Sequence, residues 1–75
     1  MTTPKLFKLM VDGDWLNYTT QRYDTVEELV NDFRLMAGMY DELWIRVRFD
    51  GVEQMVRWDR VTRVQDGNGS QSWKS

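Results

Sequence analysis

Two largely apolar runs, Lys5 to Val11 and Asp14 to Tyr18, meet at the dipeptide Asp12-Gly13. Asp-Gly between such runs predicts a β-hairpin, because a type I′ turn needs positive φ at both central residues. A two-residue turn sets Met10 opposite Trp15, Leu9 opposite Leu16 and Phe7 opposite Tyr18, so Phe7, Leu9, Val11, Leu16 and Tyr18 share one face. The residues before Lys5 read as a short disordered start.

The apolar period lengthens between Asp24 and Gly38. Val26, Leu29, Val30, Phe33, Met36 and Ala37 recur every three or four positions, which is the stripe of an amphipathic helix. Thr25 with Glu28, or Asp24 with Glu27, supplies the N-terminal capping pattern, and Gly38 is the expected stop. Glu27, Glu28, Asn31, Asp32 and Arg34 lie opposite the stripe, with Leu35 stranded among them.

Alternation returns at Leu43 to Phe49 and Val52 to Trp58, joined by a second Asp-Gly at Asp50-Gly51. The turn fixes the register as Phe49 with Val52, Arg48 with Glu53, Arg46 with Met55 and Ile45 with Val56. Ile45, Val47, Phe49, Val52, Val56 and Trp58 then share the core face, and Trp44, Arg46, Arg48, Glu53, Met55 and Arg57 share the other. Val61 to Val64 either continues this strand past a bulge at Asp59-Arg60 or forms a short strand of its own. The predicted fold is α+β in the order ββαββ: an antiparallel sheet of four or five strands with one helix across one face. Residues 5–64 make the single domain, and residues 65–75, rich in Gly, Ser, Asn and Asp, read as a flexible C-terminal tail.

Composition narrows the chemistry. A chain of 75 residues encloses one core, and with neither cysteine nor histidine it has no disulfide, no usual transition-metal ligand and no imidazole base. All three serines sit in the tail, and the acidic pairs Asp12 with Asp14 and Asp41 with Glu42 fall in turns or loops, so no catalytic residue is assigned. Asp12-Gly13-Asp14 begins like a calcium loop, but Leu16 and Tyr23 stand where oxygen ligands belong; Asp66-Gly67-Asn68-Gly69-Ser70 ends too soon. Both read as turns, and no cofactor is expected. No apolar run is long enough to span a bilayer and Met1 to Pro4 lacks signal-peptide character, so the expected location is the cytoplasm. The two N-glycosylation matches, at Asn17 and Asn68, are then chance.

Two surfaces remain as candidates for a partner. Residues 1–42 hold four basic and eight acidic side chains and residues 43–75 hold six and four, a division into −4 and +2 that predicts a dipolar molecule. The sheet face away from the helix carries Trp15, Trp44, Arg46, Arg48, Met55 and Arg57 with Lys8 and Met10. Tryptophan, methionine and arginine are the types enriched at interface centres, whereas a solvated sheet face is normally polar. The bland alternative is a face on which arginine stems cover tryptophan rings, or over which the tail folds. The second surface is acidic: Glu28, Asp32 and Leu35 on the helix, continuing into Asp41 and Glu42, with an ordinary solvated helix face as its alternative.

The two Asp-Gly hairpins around a capped helix, across residues 5–64, give the chain a build that resembles small phage-encoded modulators of host machinery such as inhibitors of bacterial RNA polymerase. That resemblance implies a non-enzymatic protein-binding modulator working in a bacterial cytoplasm; it carries no motif from which contact residues follow. The other readings are a nucleic-acid-binding accessory protein using the Trp/Arg face, a self-assembling structural or accessory protein, and an enzyme subunit completed by a partner. A low lysine content and the net charge of −2 weigh against nucleic acid.

Overall fold

Asp12 and Asp50 take up φ of 52° and 54°, and Gly13 and Gly51 follow at 86° and 80°, so both Asp-Gly pairs form the left-handed turns their chemistry favours. The computed structural model describes residues 3–75; the disordered start expected before Lys5 therefore falls partly on Met1 and Thr2, which lie outside the described residues. Each turn closes a hairpin in the expected register. Strands β1 (Lys5–Val11) and β2 (Asp14–Thr20) pair Met10 with Trp15, Leu9 with Leu16 and Phe7 with Tyr18. Strands β3 (Trp44–Phe49) and β4 (Val52–Arg57) pair Phe49 with Val52, Arg46 with Met55 and Ile45 with Val56.

Between the hairpins runs helix α1 (Val26–Met39), whose N-cap is Thr25: its hydroxyl oxygen accepts the Glu28 N–H at 3.1 Å. Gly38 is not the stop. It lies inside the helix, which ends when Tyr40 turns to extended backbone and donates its N–H to the Met36 carbonyl at 3.0 Å. Val26, Leu29, Val30 and Phe33 are buried against the sheet, whereas Ala37 at the end of the predicted stripe is exposed.

The fold is α+β, one helix packed on an antiparallel sheet, with six strands among the described residues rather than four or five, in the order β4-β3-β2-β1-β5-β6. A 3₁₀ turn, Trp58–Arg60, separates β4 from β5 (Val61–Asp66), so Val61 begins a strand of its own that returns to pair with β1. The residues expected to form a flexible tail instead complete β5, turn through Gly67 to Gln71, and form β6 (Ser72–Lys74) alongside β5. Asp66 holds that turn. Its buried carboxylate accepts the Ser70 N–H at 2.8 Å, the Ser70 hydroxyl at 2.6 Å and the Gln71 N–H at 3.3 Å.

The route from β4 to β5 fixes the shape of the sheet. In a flat sheet the two strands would lie four inter-strand steps apart, about 19 Å. Arg57 and Val61 are four residues apart in sequence and can be separated by at most about 14 Å. The sheet therefore curls strongly, and α1 fills its concave side. Phe7, Leu9, Leu16, Leu29, Val30, Phe33, Ile45, Val47 and Val64 meet there in one core, with Val56 partly buried at its margin. Phe33 is the hub: its ring meets Tyr18, Tyr23 and Trp58 edge-on at centroid distances of 5.7, 5.7 and 5.3 Å. Phe49 and Val52, expected on the core face, are 38% and 60% exposed because the tip of the β3–β4 hairpin projects beyond the buried cluster.

Candidate functional site

The convex face of β3 and β4 gathers five of the six residues expected for partner contact. Alternation sends Trp44, Arg46 and Arg48 outward from β3, and the hairpin register sets Arg57, Met55 and Glu53 directly opposite them. Trp44 is 48% and Met55 53% exposed. Neither β5 nor β6 folds over this face; they extend the sheet beyond β1 and leave the β3–β4 surface uncovered.

Trp15 lies at the far end of the same convex face, on β2. Asn17 pairs with Arg48 between β2 and β3, which brings Trp15 level with Asp50, six residues along β3 from Trp44. At the usual rise per residue that is about 20 Å from Trp44, but only two residues from the level of Arg48, which makes Trp15 a diagonal neighbour of Arg48. There it is partly buried opposite Met10.

The ion pairs on this face run diagonally. Arg48 faces Glu53 in register, but Glu53 reaches Arg46 at 3.6 Å. Arg57 lies 3.9 Å from Glu42 and 3.1 Å from Asp59, and the Trp44 indole N–H donates to Glu42 at 3.0 Å. Glu42, expected on the acidic helix surface, thus belongs to the Trp44–Arg57 cluster and fixes the indole. These pairs are exposed and worth roughly 0–1 kcal/mol each. They orient side chains without locking them, so the guanidinium groups remain free to exchange partners. The surface is not flat: a hollow of about 400 Å³ opens beside Arg46 and Arg48 with Leu6, Asn17, Thr19 and Glu53 on its rim. A second, of about 310 Å³, lies between Arg46, Glu53, Gln54 and Met55.

The acidic helix surface is less coherent than its sequence pattern. Asp32 accepts a short hydrogen bond from the Tyr23 hydroxyl, and Glu28 accepts one from Thr25 at 3.3 Å, so two of its carboxylates are engaged in the fold. Burial, and then the bond to Asp32, push the Tyr23 phenol well above its ordinary range. Leu35, 65% exposed, and Asp41 remain on the surface as expected.

A further contact joins the turn of the first hairpin to the second half of the chain. The Arg60 guanidinium bonds Asp12 at the β1–β2 turn, and that hydrogen bond holds Arg60 above its usual pKa. A cleft of about 360 Å³ lies beside it, between Asp12, Asp14 and Leu16 on one side and Gln54, Val56 and Arg57 on the other. Among the described residues no group of three or more acidic side chains is gathered into a metal-binding arrangement. No helix among them is long and apolar enough to cross a membrane.

Arginine forks beside an exposed indole and a thioether supply charge-assisted hydrogen bonds, cation–π contact and adaptable apolar area, which are the means of recognising a surface. No protein-family model matches the chain, and neither a curated protein nor a solved structure matches it.

Proposed function

We propose that this protein is a non-catalytic binding domain whose contact face is the convex side of the β3–β4 hairpin, and that its partner is a protein presenting carboxylates around an apolar patch. One observation carries the reading: Trp44, Arg46, Arg48, Met55 and Arg57 lie side by side on a sheet face that no other strand or helix among the described residues covers. Arginine, tryptophan and methionine concentrated on an open sheet are the side chains that anchor interfaces. The two hollows flanking Arg46 favour a shaped protein surface, since they offer seats for side chains.

In build the chain resembles small phage-encoded modulators, which makes a bacterial complex such as RNA polymerase the first target class to try. In this reading the domain acts in the cytoplasm by occupying a site on a larger assembly, inhibiting or redirecting it. The test is capture of purified bacterial RNA polymerase, and of proteins from a bacterial lysate, by the wild-type domain and by sheet-face and helix-face variants. Loss of capture with the sheet-face set alone supports the proposal. Tight, steeply salt-dependent binding to single-stranded nucleic acid near 0.15 M salt, with the same residues required, would replace it by the nucleic-acid reading.

A further inference from the structure

Strand β4 ends the sheet on one side, and nothing within the described chain pairs with its outer edge. It is six residues long, contains no proline and matches β3 residue for residue without a bulge. The opposite edge differs: β6 has three residues, and Gln71 just before it accepts the Val26 N–H at the start of α1. Proteins usually blunt a long, regular edge because its free N–H and C=O groups are a template for another strand. On β4 the only such guards are the charges of Glu53 and Arg57, which are of opposite sign, and the β1–β2 turn stands across an open cleft rather than on the edge.

The free groups can be assigned. The Trp58 N–H donates to the Leu43 carbonyl at 2.9 Å, continuing the β3–β4 register one pair beyond Trp44 and Arg57. Bonded and non-bonded pairs alternate in an antiparallel ladder, so Val56, Gln54 and Val52 also bond inward to β3. Glu53, Met55 and Arg57 therefore direct their backbone N–H and C=O groups to the open edge.

We propose that β4 pairs with β4 of a second copy, antiparallel about a two-fold axis at Met55. In that register Met55 faces Met55 of the second copy, and Glu53 faces Arg57 of the second copy twice over, by symmetry. The neighbouring registers fail on charge. A shift one way sets Glu53 against Asp59, and a shift the other way sets Arg57 against Gly51, with no counter-charge. Edge and side-chain pattern thus agree on a single self-complementary pairing. It would join two curled sheets into one and place the two β3 strips of Trp44, Arg46 and Arg48 about 14 Å apart on a common face. The pairing stands whether or not that face binds the partner proposed above.

Sedimentation equilibrium of the full chain is the test, read over a dilution series. The expected mass is twice the 9.0 kDa of the chain at high concentration, falling towards 9.0 kDa on dilution. Met55→Pro removes an N–H that the ladder with β3 does not use, so it should keep the circular dichroism of the wild type and stay monomeric. Glu53→Lys and Arg57→Glu should each weaken self-association about tenfold, because symmetry places each change in two cross-strand pairs at once. The double variant E53K/R57E should restore it, and this charge swap decides the matter if Met55→Pro fails to fold. A chain that is monomeric at every concentration overturns the proposal. So does a dimer that Met55→Pro and the single charge reversals leave intact. Trp44→Ala lies on β3 and leaves the β4 edge untouched, so it should keep the wild-type self-association; this separates the result from that of the proposed function, which the same variant tests by partner capture.

Discussion

The indole of Trp73 stacks on that of Trp58, with ring centroids 5.4 Å apart and planes inclined by 23°. Trp58 in turn lies edge-on to Phe33, so the last strand closes an aromatic column that reaches the helix. β6 is held by this contact as much as by its short ladder to β5, in which Trp73 pairs with Val64.

Trp73→Ala should therefore destabilise the whole domain rather than fray its end. A partly buried indole and its stacking partner account for about 2–3 kcal/mol. Urea denaturation of the variant checks this. A midpoint equal to that of the wild type would show that β6 contributes nothing to the core.

Phe33→Ala removes the hub on which Tyr18, Tyr23 and Trp58 converge. The expected loss is about 3–5 kcal/mol, a large share of the 5–15 kcal/mol that domains generally have. An unchanged melting temperature would refute the placement of Phe33 at the centre of the core.

Asp66 links stability to acid. The Ser70 hydroxyl, followed by the backbone N–H groups of Gln71 and Ser70, holds its carboxyl below the usual aspartate value, against the opposing effect of burial. A depressed native pKa contributes stability that is fully present above the unfolded value near ~3.9 and is lost as pH falls through the native pKa. Asp66→Asn should thus be less stable than the wild type at neutral pH, and the gap should narrow below about pH 4. A gap that stays constant from neutral pH into acid would show that Asp66 does not supply this linkage.

The two hairpins and the helix start were legible because their determinants are local. Each Asp-Gly dictates a turn, each turn fixes a register, and the Thr25 cap lies three residues from its donor. What escaped depends on residues far apart in sequence. The pairing of β5 with β1 joins Val64 to Leu9, and the Ser72–Lys74 strand is too short to show any periodicity. The same holds at the candidate site. The face of Trp44, Arg46, Arg48, Met55 and Arg57 followed from one turn, whereas the placement of Trp15 depended on the β2–β3 register, which runs through the helix connection. Asp32 looked solvated because Tyr23, its hydrogen-bond partner, sits nine positions earlier in the connection between β2 and α1. Glu42 looked continuous with the helix until the return of β4 brought Arg57 beside it.

The central claim is that the convex β3–β4 face is the contact surface, and the affinity of a captured partner for Trp44→Ala and Arg46→Ala tests it most directly. Both side chains are substantially exposed, so each variant should retain the wild-type fold by circular dichroism and lose only modest stability. The account predicts that each weakens binding by about 2 kcal/mol or more, near thirtyfold in Kd, as interface anchors do. It also predicts that Glu28→Lys and Leu35→Ala on the helix leave Kd within about a factor of two. Undiminished binding by both sheet-face variants, with loss confined to the helix pair, would contradict it and move the contact surface to α1.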